Sequence, residues 1–597
     1  MSRFILLSLT AALLGACATP PATTTPPRLA NAPLVAPSPV PVRLLAMNDF
    51  HGQLPAGRKM DNRPVGGAAV LAAWLRDAQR GAEGHTLIVH AGDMVGASPI
   101  TSALLRDEPT IQFLNQLANR HCRAAERLDP DCNMVGTLGN HEFDKGLQEL
   151  LRLNLGGPRA NGEQAWNEPW LGESFPLVSA NVVWADSGKP VLPPYVIKKI
   201  RYRDADGSER DVPLAFIGAT VKGTPLLTSP AATTRLRFLD EAEAVNHYLP
   251  ELRAKGVNAV VLTIHQGGNQ TPYAGPTDSS KPALTGAIVD IVKRLEDDVA
   301  VVVSGHSHAF SNAMLPNASG KPVLVTQAFS YSAAFARIDL TIDPVSKRVL
   351  SKTAEVIPAY ADAGPGLQPD PQAAELVAKA ETLIGPTANR LVARIQSDID
   401  RKQDRNGESA LGRLAVDAQL AAAGTDFAFL NRGSLRDDLR AKTNLGKAGL
   451  PLGAVTFRDL YAVQPFGNSL TQLTLSGQQI YELLEQEFSG NRASDPDLRP
   501  QLHVAGLSYS WQLSRSGNKV VEVLKNGKPI DRQARYTVVV NRFLADGGDG
   551  FTVFRQGADR RDFGGDVEAL ESYLLAQAKA RGGFVAAPND QRIRRLD

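Results

Sequence analysis

Along the first half of the chain, short runs of apolar residues end abruptly in polar fragments that contain glycine. The run at 42–47 leads into Asp49, Phe50, His51 and Gly52, that at 86–90 into Gly92 and Asp93, and that at 134–138 into GNHEFD at 139–144. Runs at 259–264 and 299–303 lead into HQGG at 265–268 and GHSH at 305–308. Apolar runs of this length without alternation predict strands buried on both faces. Periodic apolar positions between them predict helices, such as 67–80 and 109–119, packed on a sheet. Strands of this kind that feed loops at one edge predict an α/β sheet with its ligands outside the carboxyl ends. The layering is firmer than a wholly parallel order, because large sheets commonly add antiparallel strands.

Near residues 339–371 the pattern breaks into TIDPVSKRV and YADAGPGLQPDP, and a helix at 373–384 is expected before Gly385 and Pro386. The second half opens on an amphipathic helix at 409–424 ended by glycine. It continues with the strands FAFLN, VEVLK and YTVVVN and a helix at 477–488, which predicts a separate mixed α/β domain. Its glycine-rich punctuation, NRGSLR and LADGGDGF, falls beside aromatic and basic residues. The expected divisions are a signal segment at 1–17, a tether at 18–42, a first domain at 43–360, a linker with hinge helix at 361–394, and a second domain at 395–597.

The first residues place one positive charge at Arg3 before an apolar stretch at 4–14 and small residues before Cys17. The stretch is too short for a spanning helix, which needs about 20 apolar residues, and reads as an export signal. The segment ending at Cys17 resembles a bacterial lipoprotein signal, which implies cleavage before Cys17 and lipid attachment to its thiol. An ordinary cleaved signal with an incidental cysteine is the other reading. Ala18, in place of aspartate, resembles the outer-membrane sorting pattern, so the expected location is the periplasmic face of the outer membrane. The Pro-, Thr- and Ala-rich segment that follows lacks the large apolar side chains of a core and reads as a semi-rigid tether.

Lys plus Arg number 64 against 62 Asp plus Glu, a formal charge of +2. That balance leaves no footprint for polymeric nucleic acid. Of the three cysteines only Cys122 and Cys132 lie beyond Cys17. In an oxidising periplasm they would close a small surface loop; two separately buried thiols are the alternative.

The chemistry lies in the fragments. Five of the ten histidines sit in them, beside acids, an amide and glycines. Asp49 with His51, and His306 with His308, are two apart and share a face where a strand ends. Asp93, Asn140 and His265 complete seven candidate ligands. Seven crowd one metal but suit two that share the Asp93 carboxylate. A pair of cations about 3.5–4 Å apart can acidify a water, orient it, and neutralise phosphoryl charge. Mixed carboxylate, imidazole and amide donors suit Zn, Mn, Co or Fe better than Mg. Asp144, three residues after His141, can hold one ring nitrogen of that histidine and leave the other toward a phosphate; direct ligation by His141 is the competing role. His85, His90, His121, His247 and His503 lack comparable partners and read as surface, packing or locally bonded histidines.

In order and spacing these fragments resemble the bacterial and animal 5'-nucleotidase family, which includes periplasmic UDP-sugar hydrolases and belongs to the calcineurin-like metallophosphoesterases. The resemblance spans roughly residues 43–575 and includes NRGSLR, PFGNSL and FLADGGDGF in the second domain. It implies a four-layer α/β/β/α metallophosphoesterase domain joined by a helix to a separate α/β/β/α nucleotide-binding domain. It implies that Asp49, His51, Asp93 and His308 surround one divalent metal, that Asp93, Asn140, His265 and His306 surround the other, and that His141 and Asp144 form the catalytic dyad. For the substrate it implies a base clamp of Phe466 and Phe543, contacts to base and ribose from Asn468 and Asp549, and Arg436 on the phosphate, with Asn431 in the same NRGSLR segment. Arg401 and Arg405 match the remaining family arginines in a looser register. Arg432 and Ser434 stand where the family has NGGGIR glycines and depart from its pattern.

The implied reaction is dimetal-dependent hydrolysis of nucleoside 5'-monophosphates to nucleoside and phosphate. The alternatives are a UDP-sugar or dinucleotide pyrophosphatase, a 2',3'-cyclic nucleotide phosphodiesterase, and a noncatalytic nucleotide-binding lipoprotein.

Overall fold

The computed structural model describes residues 38–597 except 83, 160–165, 205, 229, 442–448 and 490–497. The expected signal segment, Cys17 and nearly all of the tether lie outside the described residues.

Two six-stranded sheets form the first half. One runs Val349–Pro358, Ala334–Ile342, Val40–Met47, His85–His90, Met134–Thr137, Leu177–Val178. The other runs Phe310–Pro316, Pro322–Ala328, Val299–Ser304, Val260–His265, Glu209–Thr220, Tyr195–Arg203. The first sheet is parallel from Val40–Met47 to its Leu177–Val178 edge and antiparallel at the other side, and the second is parallel at its centre with an antiparallel strand at each edge. Alternate residues of each strand serve different layers. Leu44, Ala46 and Val89 of the first sheet share a buried cluster with Phe216, Val261 and Val303 of the second, so the sheets pack face to face. Leu45, Met47 and Ile88 point to the opposite side, where the helices Ala68–Arg80 and Glu108–Leu117 cover them. Ile217, Leu262 and Ile264 are covered by Glu241–Ala254 and Ala287–Val292. This is the four-layer α/β/β/α sandwich that the family resemblance implies, built from strands apolar on both faces. Each fully buried Leu, Ile or Val contributes about 1.5–3 kcal/mol.

Register brings the functional loops together. Met47, His90 and Gly136 are level in adjacent parallel strands, so the loops carrying Asp49, Asp93 and Asn140 leave the sheet side by side. The carboxyl ends of the two sheets are bonded to each other: Thr220 Oγ1 donates to the Leu138 carbonyl at 2.9 Å and Thr263 Oγ1 to that of His90 at 3.2 Å.

The connecting helix is Pro371–Ala388, capped by the Asp370 side chain, which accepts from Ala373 N–H. It continues through Gly385 and Pro386, where the sequence predicts an end. A proline in the last turn removes one hydrogen bond only, and Ile384 and Ala388 hold that turn against the second core. Ala373 and Leu376, at its other end, belong to the first core.

The second domain is built on a five-stranded sheet, Leu502–Ala505, Phe427–Asn431, Arg535–Asn541, Ser469–Ser476, Ala558–Gly565. One face packs Ala428, Leu430 and Val539 against the helices Ala410–Ala423 and Asp566–Ala580. The other packs Phe429, Leu473 and Val538 against the helix Gly477–Glu485 and a small sheet bearing Trp511. Ser409 caps its helix and Gly424, left-handed at φ 63°, ends it, as the sequence predicts. Cys122 and Cys132 are joined as a disulfide. Among the described residues no helix is long and apolar enough to cross a membrane.

Candidate active site

All seven candidate ligands converge where the carboxyl ends of the two sheets meet. Asp93 Oδ2 lies 3.0 Å from His265 Nε2 and 3.6 Å from His51 Nε2, and Asp49 Oδ1 lies 3.2 Å from His308 Nε2. Ligand atoms of Asp49, His51, Asp93 and His308 all fall within 4.8 Å of one another. The His265 and His306 rings are 5.2 Å apart. Five of the seven residues hold left-handed backbone: Asp49, His51, Asp93, His306 and His308, with φ between 47° and 73°. Each such residue costs on the order of 1–3 kcal/mol unless its surroundings impose it.

The donor set fits divalent cations. His51 Nδ1 and His265 Nδ1 each lie 2.8 Å from a backbone carbonyl, of Gly96 and Ala91. A carbonyl only accepts, so both Nδ1 atoms carry the proton and both Nε2 atoms offer lone pairs. His51 Nε2 then faces His308 Nε2 at 3.0 Å, and His265 Nε2 faces a carboxylate. Asn140 Oδ1 is buried without a hydrogen-bond partner among the described residues. Opposed lone pairs and orphaned oxygens in a dry site are relieved by a cation. The site's demand for positive charge also shows in its titration. Burial opposes charging of His265, but the adjacent Asp93 outweighs it and raises the imidazole to about 10, so without a cation a proton on Nε2 takes the place between ring and carboxylate that a cation would fill. Burial raises Asp49, yet His308 and His265 bring it down to about 2.

His141 Nδ1 lies 2.7 Å from Asp144 Oδ2, and the His141 backbone N–H donates to Asp93 Oδ1 at 2.9 Å. Burial lowers the His141 pKa, but Asp144 and Asp93 together raise it above its ordinary value. Close packing enforces glycine beside the dyad: a Cβ on Gly96, at φ 78°, would stand 2.6 Å from the His141 carbonyl. A Cβ on Gly139 would stand 2.0 Å from Asp93 Oδ1.

Several supporting residues escape a reading of the sequence. Glu142, 7% exposed, accepts the backbone N–H groups of Asp93 at 3.0 Å, Met94 at 2.7 Å and Gly139 at 2.5 Å, and so ties two ligand loops together. Asn48 donates to Asp49 Oδ2 at 2.6 Å, and Tyr331 stacks on the His51 ring at 4.9 Å. Glu142 alone left a trace in the sequence, as the acid inside GNHEFD. His90, fully buried with neither ring nitrogen bonded among the described residues, is a packing residue that burial holds neutral. His503 is buried and packs against Gly412, within the expected packing role, and it also lines the cleft.

A cavity of about 780 Å³ lies between the domains, with Asp93, Asn140, His141 and His308 on one wall and Arg436, Phe466, Phe543 and Asp549 on the other. Phe466 stacks on His141 at 5.7 Å and 17°, and its carbonyl accepts from Lys145 Nζ at 2.9 Å across the cleft. Arg436 sits 5.5 Å from the Phe466 ring. Asn431 donates to Asp549 Oδ2 at 2.7 Å, while Asn541 and Ser434 hold the Asn431 side chain from behind. Ser434, a departure from the family pattern, thus becomes part of the asparagine's support. Phe543 rests on Gly548, where any Cβ would meet the ring. Asn468 lines the same cavity and donates to Asp566 at 3.4 Å. Arg401 lines it as well, but Arg405 does not. The turn that Asp404 closes through the N–H groups of Asn406 and Glu408 leaves Arg405 exposed outside the lining.

Residues 42–310 match the family model for calcineurin-like phosphoesterases, and residues 383–556 match that for the 5'-nucleotidase C-terminal domain. The chain is 33% identical over 513 residues to the endonuclease YhcR of Bacillus subtilis, covering 85% of this chain and 37% of that protein. It therefore spans little more than a third of that relative's length. It is 31% identical over 586 residues to the cell wall protein Lmo0130 of Listeria monocytogenes, covering 93% of this chain and 69% of that protein. A solved 5'-nucleotidase precursor from Thermus thermophilus superposes with a TM-score of 0.70 at 28% identity, covering 93% of this chain and 99% of its own.

Proposed function

This chain belongs to the calcineurin-like phosphoesterases that carry a 5'-nucleotidase C-terminal domain, metal-dependent hydrolases of phosphorylated nucleotides, and we propose that its own reaction is hydrolysis of nucleoside 5'-monophosphates to nucleoside and phosphate. The observation that supports this most is one cavity with the ligand cluster and dyad on one wall and a pair of phenylalanines with Asp549 on the other. Aromatic faces bind any base by stacking, which suits a reaction that ignores base identity.

Asp49, His51, Asp93 and His308 would hold one divalent cation, and Asp93, Asn140, His265 and His306 the other. Bound there, the pair supplies Lewis acidity toward water and a phosphoryl oxygen. The chain's own residues do the rest. Phe466 and Phe543 take the base, Asp549 and Asn431 the ribose, and Asn468 the base edge. Arg436, with Arg401 behind it, draws the phosphate toward His141. Asp144 fixes Nδ1 of His141, so Nε2 faces the phosphoryl group and stabilises charge as water attacks phosphorus and the P–O5' bond breaks. The leaving oxygen departs as the ribose hydroxyl.

We propose further that the protein is anchored through a lipidated Cys17 at the periplasmic face of the outer membrane. The Cys122–Cys132 disulfide is compatible with that oxidising compartment. Loss of membrane fractionation in Cys17→Ser would support the anchor, and unchanged fractionation would reject it.

The test of function compares kcat/KM for AMP, UDP-glucose and 2',3'-cyclic AMP on metal-loaded enzyme. The reading expects AMP to lead by at least about tenfold, a difference of about 1.4 kcal/mol in the barrier. A lead for either other ester would move the assignment to a pyrophosphatase or cyclic phosphodiesterase. Full metal content with no turnover of any ester would make the chain a nucleotide binder.

A further inference from the structure

The second domain brings more positive charge to the cleft than one phosphate requires. Besides Arg436 on the His141 side, the lining includes Arg401, Lys402, Arg432 and Arg499. Arg401 is paired with Asp438 at 3.6 Å and donates to the Leu435 carbonyl. Lys402 and Arg432 face no carboxylate within ion-pair distance among the described residues. The guanidinium of Arg432 makes one hydrogen bond there, to Gln403 Oε1 at 3.0 Å, of the five its donors permit.

These cations are assembled on a tied frame. The Arg432 backbone N–H donates to the Gln501 carbonyl at 2.7 Å. Gln403 Nε2 donates to the carbonyls of Gly407 and Pro500, and the Gln403 carbonyl accepts from Arg499 at 3.3 Å. His503, 2% exposed, closes the same end of the cavity: it pairs across the sheet with Leu430, two residues before Arg432. Its ring occupies space that any side chain on Gly412 would fill. Burial and the nearby Arg413 and Arg432 keep that ring uncharged, so no further cation is added there. Arg432 follows Asn431, whose amide is bonded to Asp549, so its backbone enters the cleft beside the proposed ribose contact, while its guanidinium reaches Gln403.

We propose that Arg432 and Lys402, on the frame of Gln403, form a second anion subsite that takes a phosphoryl group on the ribose edge of the substrate. The substrate class is then nucleotides with two separate phosphates, of which a nucleoside 3',5'-bisphosphate is the simplest. Water cleaves the P–O5' bond, releasing inorganic phosphate and a nucleoside 3'-phosphate whose remaining phosphate stays in the subsite until release. The inference rests on the reading of Asn431 and Asp549 as the ribose contact.

Calorimetric binding of AMP, ADP and adenosine 3',5'-bisphosphate to metal-loaded His141→Ala protein reads affinity without turnover. The bisphosphate should bind about tenfold tighter than AMP, the size expected of one well-made charged hydrogen-bonded contact. Arg432→Gly should reduce that advantage to about twofold. Arg432→Gln, which removes the charge but can keep a bond to Gln403, should do the same and controls for folding. The advantage should shrink between 0.05 and 0.5 M salt, since these groups are exposed. ADP gaining as much as the bisphosphate, or both Arg432 variants weakening AMP and bisphosphate equally, would overturn the proposal. A bisphosphate advantage in a protein that turns over no 5'-monophosphate would sink the functional reading and leave the subsite standing. Turnover of AMP with no such advantage would do the reverse.

Discussion

Removing the Glu142 carboxylate should loosen the metal site without touching a ligand. Four buried N–H groups, of Asp93, Met94, Val95 and Gly139, converge on its two oxygens at 2.5–3.4 Å. They come from the two loops that carry Asp93 and Asn140. In Glu142→Ala each N–H loses its acceptor, and a buried donor left unpaired costs about 1–3 kcal/mol. Part of that is returned, because burial, with Asp93 adding to it, already penalises the charged carboxyl and pushes it up to about 7. Water entering the vacated space returns more. A net distortion of about 1.4–2.7 kcal/mol on the ligand loops corresponds to roughly 10- to 100-fold weaker metal binding, the range typical of lost outer-shell support. Glu142→Gln, which keeps one carbonyl oxygen, should fall between. Competition against a chelator of known affinity, followed by bound-metal content, measures this directly. If Glu142→Ala holds both cations within threefold of the wild-type affinity, the suturing role assigned to that carboxylate is wrong.

Other substitutions separate the remaining roles. His141→Ala should lower kcat for AMP by about 10²–10⁴, the usual contribution of a positioned acid or base, with metal content near that of wild type; loss of one metal would instead make it a ligand. Phe466→Ala should raise KM for AMP by about tenfold while changing turnover of p-nitrophenyl phosphate far less, and equal losses on both substrates would contradict a base clamp. His503, held by burial and surrounding arginines at about 4 against an ordinary 6.5, is buried neutral. The unfolded chain therefore binds its proton first, and as pH falls from 6.5 to 4 the second domain should lose up to about 3 kcal/mol. That loss should be absent in His503→Asn, as read from the urea midpoint of the second-domain transition at pH 7 and 4.5; identical pH slopes would show that the histidine is not charged on unfolding.

The metal cluster was legible because its ligands sit one to five residues beyond apolar runs, and strands ending level in a sheet must bring such residues together. The substrate wall was legible only through resemblance: nothing in the spacing of Phe466 and Phe543 says that the two rings line one cavity. Long-range pairings were not readable at all. Tyr331 reaches His51, and Asn48 reaches the Phe329 carbonyl, because two sheets meet at their ends. His503 becomes a cleft residue through its cross-strand register with Leu430. Arg405 drops out because a side-chain-closed turn decides which arginine of its loop faces inward. The helix that runs on through Pro386 shows tertiary packing overriding a local stop signal. The left-handed backbone of Asp49, His51, Asp93, His306 and His308 was not readable either: aspartate and histidine tolerate it better than most residues, but only the assembled site places five of them in it together.

Metal stoichiometry in wild type and Asp93→Ala decides whether two cations share one carboxylate. Elemental analysis of protein loaded with Mn or Zn and freed of excess metal should give two ions per wild-type chain, and fewer than one in Asp93→Ala, because one carboxylate serves both positions. A single ion in wild type, or two retained after Asp93 is removed, would contradict a shared pair of cations at the meeting of the two sheets.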